Sequence, residues 1–336
     1  MALENKTVNT KTISVGSAVA APGTKVRGHI PVTRLAGGSE LTIPVIVING
    51  ANAGPCLWID AAIHGDEPEG TVTCHNLARQ IVPEHLAGTL VLIPAMNVPA
   101  YEAGQRGNPL DTFSYDMNRI YPGRAEGYLT ERIAWAHAQC MKEVADLEIA
   151  IHSGGAHSYL SETIFVNEDP ASVELAKAMG RGWEMVLSAI SPKGNPMATM
   201  LEAGKTGITV ELGGRSATSP EEMQRVEATL VEAILNVMRH YKMIEGEAHY
   251  PRMRWKGVQE ALLAPASGVF IPAPGVACKK PMKKGDALAK IVDIWGDTIA
   301  ELYAPADGMI FGLRALANVT TGEWCSFYAK TSGVRD

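Results

Sequence analysis

Leu57-Trp58-Ile59-Asp60-Ala61-Ala62-Ile63-His64-Gly65-Asp66-Glu67-Pro68-Glu69-Gly70 is a largely apolar run that ends in a His and a Glu separated by two residues. Such a run reads as a buried strand. Gly65 permits a tight turn after it, and Pro68 suits the first turn of a helix. From that one turn His64 and Glu67 can reach a single cation. Taken alone, His64 also reads as a histidine hydrogen-bonded at a strand end. Glu67 buried beside it with no basic neighbour is costly, however, unless a cation compensates the charge. His152 ends a second run, 147–151, and completes three protein ligands. Three ligands leave one position open for water, the arrangement of catalytic rather than structural zinc. Glu211 ends a third apolar run and is followed by Leu212-Gly213-Gly214. Its place at a strand end favours an active-site edge, where it is available as a proton-transfer group. The plainer alternatives are a helix cap or a pair with Arg215.

Outward from these pieces, strands are expected at 43–48, 57–63, 89–93, 147–151, 163–166 and 208–212, alternating with helical windows near 68–81, 130–145, 170–180 and 219–242. That alternation predicts an α/β domain over 43–245, with a mixed sheet flanked by helices. The best-marked helix begins at Ser219-Pro220-Glu221-Glu222, a capping box with Pro at the first helical position. Met223, Val226, Leu230, Ile234, Val237 and Tyr241 follow at helical spacing. Residues 1–42, polar and alternating, are expected to add an N-terminal β segment packing on this domain. The stretch 246–256 breaks the pattern as a linker.

Residues 257–336 differ in kind. Ala264-Pro265-Ala266-Ser267-Gly268-Val269-Phe270 recurs as Ala304-Pro305-Ala306-Asp307-Gly308-Met309-Ile310, and each copy leads to a turn, Lys283-Lys284-Gly285-Asp286 and Thr320-Thr321-Gly322-Glu323. Two similar halves of short strands predict a small all-β, barrel-sandwich-like C-terminal domain. Its punctuation resembles the biotinyl and lipoyl carrier domains. Those carry their cofactor on a lysine at the hairpin between the halves, whereas the corresponding stretch here, 292–299, has none. A scaffolding or pocket-shaping role is therefore expected.

Composition narrows the partners. With 336 residues the chain exceeds the ~250–300 at which single cores stop growing. A formal charge of −6, with lysine pairs only at 279–280 and 283–284, argues against a nucleic-acid surface. Five scattered cysteines without a Cys-x-x-Cys suggest a reducing, cytoplasmic setting. The polar opening Met1-Ala2-Leu3-Glu4-Asn5-Lys6 does not read as a signal peptide, and no window suits a bilayer, so no membrane partner is expected. Gly204-Lys205-Thr206 fails as a phosphate loop because Thr199 stands where a glycine is required, and no Gly-x-Ser-x-Gly elbow is present.

His64-Gly65-Asp66-Glu67 resembles the metal motif of the succinylglutamate desuccinylase and aspartoacylase family, distant relatives of the zinc carboxypeptidases. The resemblance continues through Asn97-Val98-Pro99-Ala100-Tyr101-Glu102-Ala103-Gly104-Gln105-Arg106, Asp116-Met117-Asn118-Arg119-Ile120-Tyr121-Pro122-Gly123 and Ile208-Thr209-Val210-Glu211-Leu212-Gly213. In order and spacing it covers roughly residues 45–245, and the family also has a β-rich C-terminal domain. It implies a zinc-carboxypeptidase-like fold and a cytoplasmic zinc-dependent deacylase that cleaves a small N-acyl amino acid or related amine. His64, Glu67 and His152 would hold one Zn²⁺ per chain, with Glu211 moving protons. Arg106 would support the oxyanion, and Asn118 with Arg119 would clamp a substrate carboxylate. Arg106 and Arg119 also have a plainer reading, as surface arginines paired with Asp111 or Asp116. Alternatives in function are a metallocarboxypeptidase on short peptides and a non-catalytic metal-binding scaffold; a homo-oligomer is compatible with either. His157 lies close enough to His152 to reach a pocket mouth. One departure stands out. Family members often carry Asp two residues before the second metal His to orient an imidazole, but Ala150 occupies that place, with Asp60 or Asp146 as candidate substitutes.

Overall fold

The computed structural model describes residues 7–167, 169–188, 193–215 and 219–335, the side chains of 253, 254 and 332–335 lying outside that description. The N-terminal segment forms β1 (Ile13–Val15), β2 (Ala18–Ala20) and β3 (Thr24–Arg34). Then follow β4 (Glu40–Asn49), β5 (Asn52–Asp60), α1 (Glu69–Gln80), β6 (Ala87–Ile93) and α2 (Val98–Ala103). Next come α3 (Leu129–Val144), β7 (Leu147–His152), β8 (Ser158–Val166), α4 (Pro170–Ala178) and β9 (Met185–Ser188). α5 (Pro196–Glu202), β10 (Thr206–Gly213) and α6 (Pro220–His240) close this part. The longer helices match the expected windows, α3 starting one residue earlier at Leu129. α6 starts where its sequence says: the Ser219 hydroxyl accepts from the Glu222 N–H and Pro220 opens the first turn. α2, α5 and β9 were not expected from the sequence, being too short for periodicity to mark them.

At the centre β6, β5, β7 and β10 run parallel, and every residue of β6 and β7 is buried. Strands covered on both faces read as continuous runs, which is why these were legible. Period-2 alternation divides their side chains. Leu147, Ile149 and Ile151 face a core completed by Leu77 of α1, Leu175 of α4 and Leu230 and Ile234 of α6. Trp58 of β5 faces the opposite way, against Ile133 and Met141 of α3. The parallel register pairs Trp58 with Glu148, Asp60 with Ala150 and Glu211 with His152. These residues therefore share the second face, and this alone brings His152 and Glu211 side by side.

The remaining strands are β11 (Met253–Leu263), β12 (Gly268–Pro272), β13 (Pro281–Met282), β14 (Ala287–Val292), β15 (Thr298–Tyr303), β16 (Gly308–Arg314), β17 (Asn318–Val319) and β18 (Trp324–Arg335). The two sequence repeats have matching turns: Lys283 N donates to the Asp286 carboxylate and Thr320 N to that of Glu323. Their strands go to different sheets, however. β12 lies in a four-stranded sheet, β15-β14-β12-β17, whereas β16 joins the main sheet, whose order is β13-β16-β18-β11-β9-β8-β10-β7-β5-β6-β4-β3. The two layers share a core of Phe270, Leu288 and Ile291 against Ile310 and Tyr328. A self-contained sandwich was expected, but one of its layers continues the central sheet. The stretch read as a linker already contributes the start of β11, where Trp255 pairs with Met185. The junction is apolar: Leu160, Phe165, Met185 and Leu187 pack on Met309, Phe311 and Ala329. β16 and β8 approach so closely that a Cβ at Gly312 would lie 2.2 Å from Leu160 Cδ2.

Each large apolar side chain buried at this junction is worth about 1.5–3 kcal/mol. A chain ending at Tyr250 would expose them together with an unpaired β9 edge, and is expected to be poorly soluble or to self-associate. Light scattering on the refolded fragment checks this; a monodisperse, well-folded monomer would contradict it.

Candidate metal centre and active site

The turn after β5 is pinned by backbone hydrogen bonds. Ala61 N donates to Ile93 O, and the Ala61 and Ala62 carbonyls accept from Met96 and Asn97. These bonds hold Ala62 at φ 51°, a left-handed conformation that costs a non-glycine residue about 1–2 kcal/mol. At Gly65 a Cβ would lie 2.0 Å from the Ala100 carbonyl, so only glycine lets α2 pack against the turn. The result aims His64 and Glu67 inward at the start of α1.

Glu67 bridges two imidazoles. Its Oε1 lies 2.8 Å from His64 Nδ1 and its Oε2 3.0 Å from His152 Nδ1, with Ser153 N donating to Oε2 at 3.2 Å. All three residues are buried, and one ligand atom from each lies within 4.8 Å of the others. Burial opposes the Glu67 charge, but the two histidines outweigh it and hold the carboxyl well below the usual carboxylate range. Burial also disfavours a charge on His64, yet Glu67 and Asp116 raise its pKa above the ordinary imidazole value. Burial lowers that of His152. Two imidazole nitrogens and a carboxylate oxygen, converging and removed from water, form a donor set suited to a borderline divalent cation such as Zn²⁺.

Glu211 stands next to His152 in register, and its Oε2 is buried without a hydrogen-bond partner. Burial first, then the Glu67 carboxylate, push its pKa well above the ordinary value. Arg106 reaches in from the loop after α2, its Nη1 3.3 Å from His64 Nδ1 and 3.8 Å from Glu67 Oε1. Its Nε and Nη2 donate to Asp116 Oδ2, so it is both paired with Asp116 and set beside the cluster. Asn118 and Arg119 sit in a 3-10 turn, Met117–Arg119. Asn118 Oδ1 is buried without a partner, whereas the exposed Arg119 donates to the Asn118 carbonyl. His64, Glu67, Arg106, Asn118, Arg119, His152 and Glu211 line one cavity of about 640 Å³, and His157 lies on its wall as well.

Neither Asp60 nor Asp146 fills the place of a carboxylate absent at Ala150. Asp60 Oδ1 accepts from Trp58 Nε1 and bonds His137 Nε2, both at 2.7 Å, and Asp146 accepts from Cys56 N. The carboxylate that meets a metal-site imidazole is Asp116, with Oδ1 3.2 Å from His64 Nε2. Sequence reasoning held Asp116 as the first residue of the motif 116–123 and as a partner for arginine, without linking it to His64. Glu69 was also missed. Buried at the start of α1, it accepts from Ser153 Oγ and Gly214 N, both at 2.8 Å, and so ties the loops after β7 and β10 together. Equally hidden was the far wall of the cavity, where Gln259, Phe311, Trp324 and Phe327 come from the C-terminal strands.

Comparison with known proteins fits this geometry. The succinylglutamate desuccinylase/aspartoacylase catalytic domain matches residues 53–241. The N-alpha-acetyl-L-2,4-diaminobutyric acid deacetylase of Halomonas elongata is 27% identical over 305 residues, covering 86% of this chain and 85% of the relative. The product-bound structure of the ectoine utilization protein EutE (DoeB) from Ruegeria pomeroyi is 26% identical with a TM-score of 0.78, covering 91% of this chain and 94% of that one. In fold, a succinylglutamate desuccinylase from Silicibacter sp. TM1040 aligns with a TM-score of 0.80 at 23% identity, over 98% of this chain and 100% of the other. The chain belongs to the succinylglutamate desuccinylase/aspartoacylase family.

Proposed function

We propose that the protein is a zinc-dependent deacylase that hydrolyses the amide bond of a small N-acyl amino acid, releasing a carboxylic acid and a free amine. The observation that carries this reading is Glu67 held between His64 and His152, with the unpartnered Glu211 oxygen beside them in one cavity. Zn²⁺ bound by His64, Glu67 and His152 would polarise the amide carbonyl and lower the pKa of water. Glu211 takes a proton from the attacking water and returns it to the departing nitrogen. A carboxyl whose pKa is lifted by burial suits a group that must both accept and donate within one turnover. Arg106, fixed by Asp116, presents its Nη1 toward the cluster, 3.3 Å from His64 Nδ1, and stabilises the negative charge that develops on the carbonyl oxygen. The Asn118 amide and the Arg119 fork hold the substrate carboxylate.

A cavity of about 640 Å³ suits one acylated amino acid. Its wall of Phe311, Trp324 and Phe327 favours a small substrate over the carboxypeptidase alternative, in which a peptide chain has to extend outward. The substrate named for the Halomonas relative supports an N-acyl amino acid. Screening zinc-loaded protein against N-acyl amino acids and short peptides, with detection of released amine, tests the reading. Turnover confined to peptides would move it to the alternative, and turnover of neither would leave the non-catalytic scaffold.

Replacing Glu211 by Gln is expected to leave zinc content intact while turnover falls by about 10²–10⁴-fold. Loss of zinc in that variant would make Glu211 a ligand. For the clamp, Arg119→Ala is expected to raise KM strongly for a carboxylate substrate. A substrate amidated at that carboxylate should be poor with wild type yet little changed by the substitution, because groups in direct contact lose their interaction only once. Equal damage to both substrates would assign Arg119 a structural role.

A further inference from the structure

We infer that the sheet edge beside the C-terminal half of α1 is a binding site for a small anion carrying two or more phosphoryl groups, held by Lys25, Arg27 and Arg79. These three residues line a cavity of about 620 Å³ together with His29, His75 and Ser17, and no carboxylate stands among its lining residues. The cavity shares no lining residue with the active-site cavity, so the inference is independent of the deacylase reading.

The fold gathers these cations from two elements. β3 is the outer strand of the main sheet. Its register sets Lys25, Arg27 and His29 opposite Ile48, Ile46 and Pro44, on the face whose Ile46 and Ile48 pack in one core with Leu77 of α1. Side chains at alternate strand positions stand ~7 Å apart on one face. α1 buries Leu77 and leaves His75 and Arg79 exposed; four residues apart, they are neighbours on one helix face. Lys25 Nζ donates to Ala78 O at 2.5 Å and ties the strand to the helix.

Two ordinary roles account for part of this charge. Charged side chains on an outer strand discourage pairing with other chains. Cations at a helix C-terminus meet a partial charge of about −0.5, and Lys25 does so through Ala78. Among the described residues, however, neither Arg27 nor Arg79 has an ion-pair partner, although the chain as a whole carries a formal charge of −6. Three permanent positive charges around one concavity repel one another until an anion enters. The donors also suit phosphoryl oxygens. Each guanidinium offers a planar fork, and Lys25 keeps two N–H groups besides the one given to Ala78. Ser17 Oγ accepts from His29 N at 2.9 Å, which leaves the hydroxyl proton to donate. A lone carboxylate engages one fork, whereas linked phosphoryl groups reach donors on both strand and helix.

Titration calorimetry on the zinc-bound full chain at physiological salt tests this, with pyrophosphate as the probe and inorganic phosphate and citrate alongside. Pyrophosphate is expected to bind once per chain and more tightly than either. Arg27→Gln combined with Arg79→Gln removes two charge-assisted contacts and is expected to weaken it by about 10-fold or more. Basal turnover and folding should stay as in wild type, since neither side chain lines the active site. Arg181→Gln, which removes a cation from a different cavity, should leave pyrophosphate binding unchanged. A signal that persists in the double variant, whether from the active site or from zinc drawn off by the probe, would overturn the site. So would the absence of saturable binding, which would confine these cations to guarding the strand edge and the helix end. Citrate or inorganic phosphate bound as tightly as pyrophosphate, and lost in the same double variant, would overturn the assignment to linked phosphoryl groups.

Discussion

The Glu67 carboxylate, buried between two imidazoles, is the constraint around which the rest of the structure is arranged. An isolated carboxylate at 3% exposure costs several kcal/mol of desolvation unless something positive or strongly polar meets it. Here His64 and His152 meet it on either oxygen, and Arg106 stands 3.8 Å away. None of these can shift far without leaving the charge uncompensated. The left-handed Ala62, the glycine at 65 and the hydrogen bonds of Glu69 to Ser153 and Gly214 all serve to keep three separate chain segments converged on that one group. Preorganisation of this kind spends folding stability on setting candidate ligand atoms in place in advance.

Sheet register supplies the larger scaffold. Because side chains alternate across a strand, the face of β7 and β10 that turns toward α1, α4 and α6 is aliphatic, while the other face presents Glu148, Ala150 and His152 beside Thr209 and Glu211. A slip of one residue in the β7–β10 pairing would move Glu211 to the aliphatic side and put Val210 beside His152 in its place. The aliphatic core thus fixes the register, and the register fixes the chemistry. The C-terminal strands extend the same logic: continuing the sheet past β8 and β9 brings Gln259, Phe311 and Phe327 across to the far wall of the cavity.

What the sequence made legible follows from this division. Buried parallel strands write themselves as continuous apolar runs, so β5, β7 and β10 could be found, and with them His64, Glu67, His152 and Glu211 at their ends. α6 was marked at both levels, by its Ser219 cap and its spaced aliphatics. Short elements such as α5 and β9 carry no such mark. The merging of the C-terminal strands with the central sheet was hidden because a repeat reports that two halves are alike, not that their strands part into separate layers. Asp116 was hidden for a related reason. Its bond to His64 spans 52 positions, and an aspartate beside an arginine in the string reads first as a local ion pair. Ala150 left no carboxylate two residues before His152, and the contact of Asp116 with His64 emerges only from the folded arrangement of the Arg106–Arg119 loop.

Diffraction from crystals grown with zinc tests most directly the proposed cation between Glu67 and the two histidines. Data collected on either side of the zinc absorption edge should give one anomalous peak per chain, bounded by His64 Nδ1, the Glu67 carboxylate and His152 Nδ1, with Glu211 beside it and outside bonding distance. A zinc-soaked crystal with no peak between these three residues, or with Glu211 among the ligands, would contradict it.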